Sequence, residues 1–241
     1  MKRQCIPLIL WAFAVLAGAA CSHSPGRPAP GSEVTAPDQV LEFNALYGQN
    51  CAGCHGPDGT GGTTIALRDP VFLAIADAAA IRRAVAGGVR GTAMPAFAQS
   101  AGGMLTDKQV DALVGGIRSW AQPGLLHGSN PPPYAAQTAG DLQRGAQVYE
   151  AFCSSCHGSA ATGGDKASSI VDGSYLALVS DQHLRTTVIA GRPELGKPDW
   201  REDVPGKPMS DQEVTDVVAW LASHRAPNPG QPYPNPSGVH E

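Results

Sequence analysis

Two short cysteine motifs carry the chemistry of this chain: Cys51-Ala52-Gly53-Cys54-His55 and Cys153-Ser154-Ser155-Cys156-His157. In each, two thiols stand three positions apart and a histidine follows at once. That spacing lets two sulfurs add across the vinyl groups of one heme while the adjacent imidazole is held under its iron. The expectation is heme c, two per chain, bound covalently through Cys51, Cys54, Cys153 and Cys156, with His55 and His157 as iron ligands.

The elements that must hold these motifs come in two copies, and a repeat of this kind is read before any fold is assigned. VLEFNALYGQNCAGCH, ending at His55, lies over LQRGAQVYEAFCSSCH, ending at His157, with Tyr47 over Tyr149. Both stretches have helical spacing of apolar residues leading into the motif. Next, DAAAIRRAVAG from Asp77 lies over DQHLRTTVIAG from Asp181, each an acidic start, an apolar stripe and a terminating glycine. Thr106 and Ser210 then open a last helix running to about Trp120 and His224, and Ser210 with Glu213 forms a capping box. Each copy is therefore about three helices joined by glycine-rich loops, with no period-2 strand. So small a unit buries little apolar surface with side chains alone, and a large flat cofactor completes its core.

The repeat also weighs against the other readings of Cys-x-x-Cys. A zinc knuckle would need the two pairs to converge on one metal, or each to recruit further histidines. A thioredoxin-like redox motif would follow a strand, whereas helical patterns precede both motifs here.

The ends read as accessories. Residues 1–21 have a basic start, an apolar run from Ile6 to Leu16 and small residues before Cys21, the layout of an export signal. The run falls short of the roughly 20 apolar residues of a spanning helix, so removal is expected. Cys21 stands where lipoprotein signals carry the lipidated cysteine, although Gly18 replaces their usual leucine. Residues 22–36 would be a tether, 37–122 the first domain, 123–138 a linker, 139–226 the second domain and 227–241 a Pro-rich tail. The linker contains Pro131-Pro132-Pro133 and is expected to be extended and stiff. A formal net charge of -4 argues against nucleic acid as a partner.

With these elements in place, residues 37–226 resemble a tandem pair of class I cytochrome c domains. The resemblance implies an all-α fold, each domain wrapped around one heme, and electron transfer rather than catalysis. It also implies a methionine in a Met-Pro context as second iron ligand, and Met94-Pro95-Ala96-Phe97 occupies that place in the first copy. A thioether favours ferrous iron and raises the potential. Met104 is the rival, but it stands just before the cap of the last helix, where a methionine more often packs the core.

The second copy departs from this pattern, since Met94-Pro95-Ala96-Phe97 falls on Lys197-Pro198-Asp199-Trp200. Met209 instead aligns with Leu105. The sixth ligand of the second iron is then Lys197, Met209 after loop rearrangement, or an open position, and a lysine ligand must first lose its proton. Arg90, Arg192 and Arg201 are candidates to pair with heme propionates. His23, His127, His183, His224 and His240 lie outside every matched ligand position and are expected to be solvated.

The implied partners are redox proteins or a membrane respiratory complex, reached from the periplasmic side and, with Cys21 lipidated, from a lipid anchor. The competing function is a small peroxidase-like heme enzyme or a gas-binding module using the second heme. Against a peroxidase stands the lack of a histidine in a matched distal position.

Overall fold

The computed structural model describes residues 35–226. The expected export signal, Cys21, most of the tether and the Pro-rich tail lie outside the described residues. A short 3-10 turn spans Pro37–Gln39, and everything described from Val40 onward forms one compact unit.

Among the described residues there is no strand, and ten α-helices follow in two series of five. In the first copy they are α1 (Phe43–Asn50), α2 (Ala52–His55), α3 (Pro70–Ile75), α4 (Ala78–Gly87) and α5 (Asp107–Ser119). In the second they are α6 (Leu142–Phe152), α7 (Ser154–His157), α8 (Gly173–Leu178), α9 (Asp181–Ala190) and α10 (Asp211–Ala222). The all-α expectation holds. The three longer helices of each copy match the expected ones, and α3 and α8 are additions. Both additions are six residues long, too short for an apolar period to show, and start at an aspartate cap, Asp69 or Asp172.

Caps fix the helix starts. Asp77 accepts from the N–H of Ala80, and Ser180 accepts from that of His183. The structural partner of Asp77 is therefore Ser180, one residue before the Asp181 that the sequence alignment chose. The last helix of both copies opens with a full capping box, Thr106 with Gln109 and Ser210 with Glu213. Reciprocal side-chain bonds satisfy N–H groups that the helix itself leaves bare.

The apolar faces then meet. Ile81 and Val85 of α4 and Val110, Leu113 and Ile117 of α5 are all at or below 5% exposed. Each such burial is worth about 1.5–3 kcal/mol. In the second copy α6 crosses α10 at close range, because Gly145 lets the backbone through: a Cβ there would lie 2.2 Å from the Asp216 carbonyl. One continuous core spans both copies, with Phe72, Leu176 and Trp200 among its members and Tyr134 packed against it.

Asp216 locks this crossing. Its carboxylate is 2% exposed and accepts from the backbone N–H of Asp141 at 2.7 Å, from Arg144 Nε at 2.8 Å and from Gln212 at 2.8 Å. Burial alone would raise its pKa, but the bonds from Arg144, Asp141 and Gln212 outweigh that and hold it below the usual carboxylate range. A depressed folded pKa means stability that is present above the unfolded value and lost as pH falls through the folded one. Asp216→Asn is expected to cost about 2 kcal/mol at pH 7, Arg144 being half exposed and screened. That cost should shrink as pH falls below the usual carboxylate range, because the wild-type carboxylate is itself protonated on the way down. Urea unfolding at pH 7 and at successively lower pH checks it, and a loss that does not change with pH would sink the assignment.

The linker is not the extended, stiff spacer its prolines predict. Its first half coils into turns, with the N–H of His127 on the Gly124 carbonyl at 3.0 Å and that of Ser129 on Leu126 at 2.9 Å. Its second half is clasped by Arg185 of α9, whose side chain is 2% exposed. The guanidinium donates to the carbonyls of Pro133 at 2.8 Å and Tyr134 at 3.1 Å, to Thr215 at 2.9 Å and to Asp211. Tyr134 meets the Phe72 ring of the first copy, with centroids 6.5 Å apart.

Candidate functional site

Each cysteine motif is a single helical turn, α2 or α7, hinged on the end of the helix before it. The N–H of Cys51 donates to Tyr47 and that of Cys153 to Tyr149, both at 2.8 Å. Within one turn, residues three apart share a side. Cys51 and Cys54 therefore lie together, as do Cys153 and Cys156, and all four thiols are unbridged. Burial, then the neighbouring Cys54, pushes the Cys51 thiol up to about 11. Burial, then Asp203, pushes Cys153 up to about 12 against the pull of Lys197.

The motif histidines are set alike. His55 Nδ1 lies 2.8 Å from the carbonyl of Ile65, and His157 Nδ1 lies 2.7 Å from that of Ser168. A carbonyl only accepts, so Nδ1 carries the proton and Nε2 keeps its lone pair for a metal. Burial holds the His55 pKa below its ordinary value, against the Ile65 bond, and the neutral ring is the ligating form.

Tyr47 and Tyr149, which the repeat lays over each other, have a specific task. Their hydroxyls donate to the carbonyls that follow the motifs, Tyr47 to Gly56 at 2.9 Å and Tyr149 to Gly158. The signal was present, since each tyrosine stands four residues before the first motif cysteine. Nothing in residue type marked the carbonyls of Ile65 and Ser168, which are backbone atoms.

The candidate sixth ligands sit on matching loops. After α4, the N–H of Val89 donates to the Met94 carbonyl at 3.1 Å; after α9, that of Arg192 donates to the Lys197 carbonyl at 2.9 Å. Both loops press on the glycine closing the helix. A Cβ on Gly88 would lie 2.9 Å from the Met94 oxygen, and one on Gly191 2.8 Å from the Lys197 oxygen. Further along, Leu105 donates to Phe97 at 2.7 Å and Met209 to Trp200 at 2.9 Å. Backbone register thus pairs Met94 with Lys197 and Leu105 with Met209.

Their side chains differ in setting. Met94 is partly buried against the core, while Met104 is 82% exposed. Met209 is 2% exposed, inside the core where Leu105 is 6% exposed. The Lys197 ammonium donates to the carbonyls of Pro198 at 3.0 Å and Val188 at 3.3 Å, and faces Asp203 at 3.5 Å. Burial pushes the Asp203 carboxyl up while Lys197 pulls it back.

The remaining candidates divide. Arg201 pairs with Asp199 and lies over the Trp200 ring, Arg192 pairs with Glu194, and Arg90 is exposed. His183 is not the solvated histidine expected from sequence: burial, then Arg192 and His55, press its pKa down to about 4. His224 is exposed, with Nδ1 on the Trp220 carbonyl at 2.8 Å.

Among the described residues no three His, Cys, Asp or Glu side chains converge as a metal cage. The donor set fits heme instead: in each copy, two unbridged thiols on one turn and an imidazole with a free Nε2.

Comparison with known proteins follows the same two-copy division. Residues 38–115 and 140–221 each match the family described as cytochrome C oxidase, cbb3-type, subunit III. The Azospirillum sp. (strain B510) protein named Cbb3-type cytochrome c oxidase subunit CcoP is 33% identical over 130 residues, 49% of this chain and 39% of its own length. The chain thus matches well under half the length of that relative. A chain of the Kuenenia stuttgartiensis reducing HAO-like protein complex superposes over 80% of this chain and 100% of its own, at 19% identity and a TM-score of 0.43. No helix among the described residues is long and apolar enough to cross a membrane.

Proposed function

The chain belongs to the family of cytochrome c oxidase, cbb3-type, subunit III, and on that footing we propose that it passes single electrons through two covalently bound hemes to a membrane respiratory complex. The observation that carries this reading is the repeated motif turn, in which a carbonyl fixes each histidine with Nε2 free. When bound, heme supplies an iron that takes up and gives back one electron.

The chain's own residues hold and bias that group. Cys51, Cys54, Cys153 and Cys156 would anchor it, and His55 and His157 would ligate its iron. Met94 would supply the further iron ligand in the first copy. In the second copy we assign that role to Lys197, because its loop repeats the Met94 register and Met209 fills the core site of Leu105. The domain division at residues 37–122 and 139–226 belongs to the same reading, as do export to the periplasmic side and lipidation of Cys21.

Two measurements test the function. Pyridine hemochrome analysis of the unfolded, acid-extracted chain should return two hemes that do not extract. The ascorbate-reduced protein should then be reoxidised quickly by membranes containing the oxidase and slowly by hydrogen peroxide alone. Fast turnover with peroxide would transfer the second heme to the enzyme reading.

A further inference from the structure

The two copies touch where the second reaches the loop that holds the first motif. Arg192 follows the glycine that closes α9, and its side chain is 19% exposed. Its Nη2 lies 3.4 Å from the carbonyl of Gly62, and its Nε pairs with Glu194. Gly62 rests directly on the motif turn: a Cβ there would lie 2.2 Å from the Cys54 carbonyl oxygen and 2.5 Å from the His55 carbonyl carbon. The next residue, Thr63, donates to that Cys54 carbonyl at 3.0 Å, and two further on Ile65 holds His55 Nδ1 at 2.8 Å. Only a gap of about 10 Å³ remains where this loop meets Thr187 and Gly191, room for a single water. The Thr187 hydroxyl is buried at this seam without a protein partner, a natural anchor for that water.

Resting on the two-heme reading above, we propose that Arg192 of the second copy is a positioning residue for the first heme: it steadies the 62–65 loop that orients His55 and raises that heme's reduction potential. Ferrous heme carries one positive charge fewer than ferric heme, so a fixed cation in a poorly solvated seam favours the reduced state. Glu194 lies beside the cation and partly cancels it.

Redox titration of the two-heme protein tests this, the first heme being identified as the one whose midpoint moves in Met94→His. Arg192→Gln should lower the first heme's reduction equilibrium roughly tenfold, about 59 mV for one electron, and leave the second nearly still. Glu194→Gln should shift the first heme in the opposite direction, and Arg192→Lys should keep most of the wild-type value. A structural disturbance would not give shifts of opposite sign. An unmoved first heme in Arg192→Gln, an equal fall of both hemes, or Lys and Gln variants that behave alike would each overturn the proposal. A chain that carries fewer than two hemes by hemochrome before any substitution would instead overturn the reading beneath it.

Discussion

Gly62→Ala protein is expected to purify with one covalent heme, the second, while Gly164→Ala protein keeps both. The two glycines hold corresponding places behind their motifs, but the spaces around them differ. At Gly62 an added methyl would meet the Cys54 oxygen at 2.2 Å, the His55 carbonyl carbon at 2.5 Å and the Gly56 nitrogen at 2.7 Å. All three are backbone atoms of the motif, so no side chain can swing away. Either the turn bearing Cys54 and His55 shifts or the 62–65 loop lifts, and both movements separate His55 from the carbonyl that orients it. Overpacking of this kind typically costs about 1–3 kcal/mol, occasionally more. Here the cost falls on the geometry that presents two thiols and an imidazole together. At Gly164 the nearest atom to an added methyl is the Cys156 oxygen at 3.5 Å, an ordinary van der Waals contact. Heme content per chain, with peptide mapping to say which motif is loaded, decides the matter. Equal heme loss in both variants would show that the difference in space has no bearing on attachment.

Replacing Lys197 by methionine should give the second heme a thioether ligand and raise its potential, on the order of 100 mV, since axial ligands span about 0.8 V across heme proteins. The near-infrared magnetic circular dichroism of the oxidised protein should then change from one histidine–methionine heme to two. Lys197→Ala should leave the sixth position open, and the reduced second heme should take up carbon monoxide readily. Met209→Leu, which copies Leu105 of the first repeat, should alter neither spectrum nor potential and should cost under about 1.5 kcal/mol as a volume-conserving swap. Loss of a methionine-ligated heme in Met209→Leu, with Lys197→Ala silent, would reverse the assignment. The ion pair of Lys197 with Asp203 does not compete strongly, because 3.5 Å is long for a charge-assisted bond.

Much of this was legible in the chain itself, for identifiable reasons. The motifs announce their chemistry through spacing, and the helices α4, α5, α9 and α10 through apolar stripes and hydroxyl or carboxylate caps. Duplication did the rest, because Lys197 becomes visible only when laid over Met94. The misses have a common origin in interactions that residue type does not encode. Ser180 rather than Asp181 caps α9 because either residue can serve, and the choice depends on where Gly191 must end the helix. The His55 and His157 orientations rest on backbone carbonyls. His183 looks like any polar residue on a helix until the first copy covers it. The linker reads as stiff from its prolines, but its path is set by Arg185, some fifty residues away, whose partners are again carbonyls.

That clasp has a kinetic meaning. Two electron carriers joined by a free tether must tumble until their edges meet before each handover, on the microsecond-to-millisecond scale of domain motion. Viscosity would then set the pace. With Pro133 and Tyr134 pinned to α9 and Tyr134 against Phe72, there is no search to complete. On the two-heme reading, passage between the halves would have a fixed span and no waiting time, and thickening the solvent should slow only the arrival of outside partners.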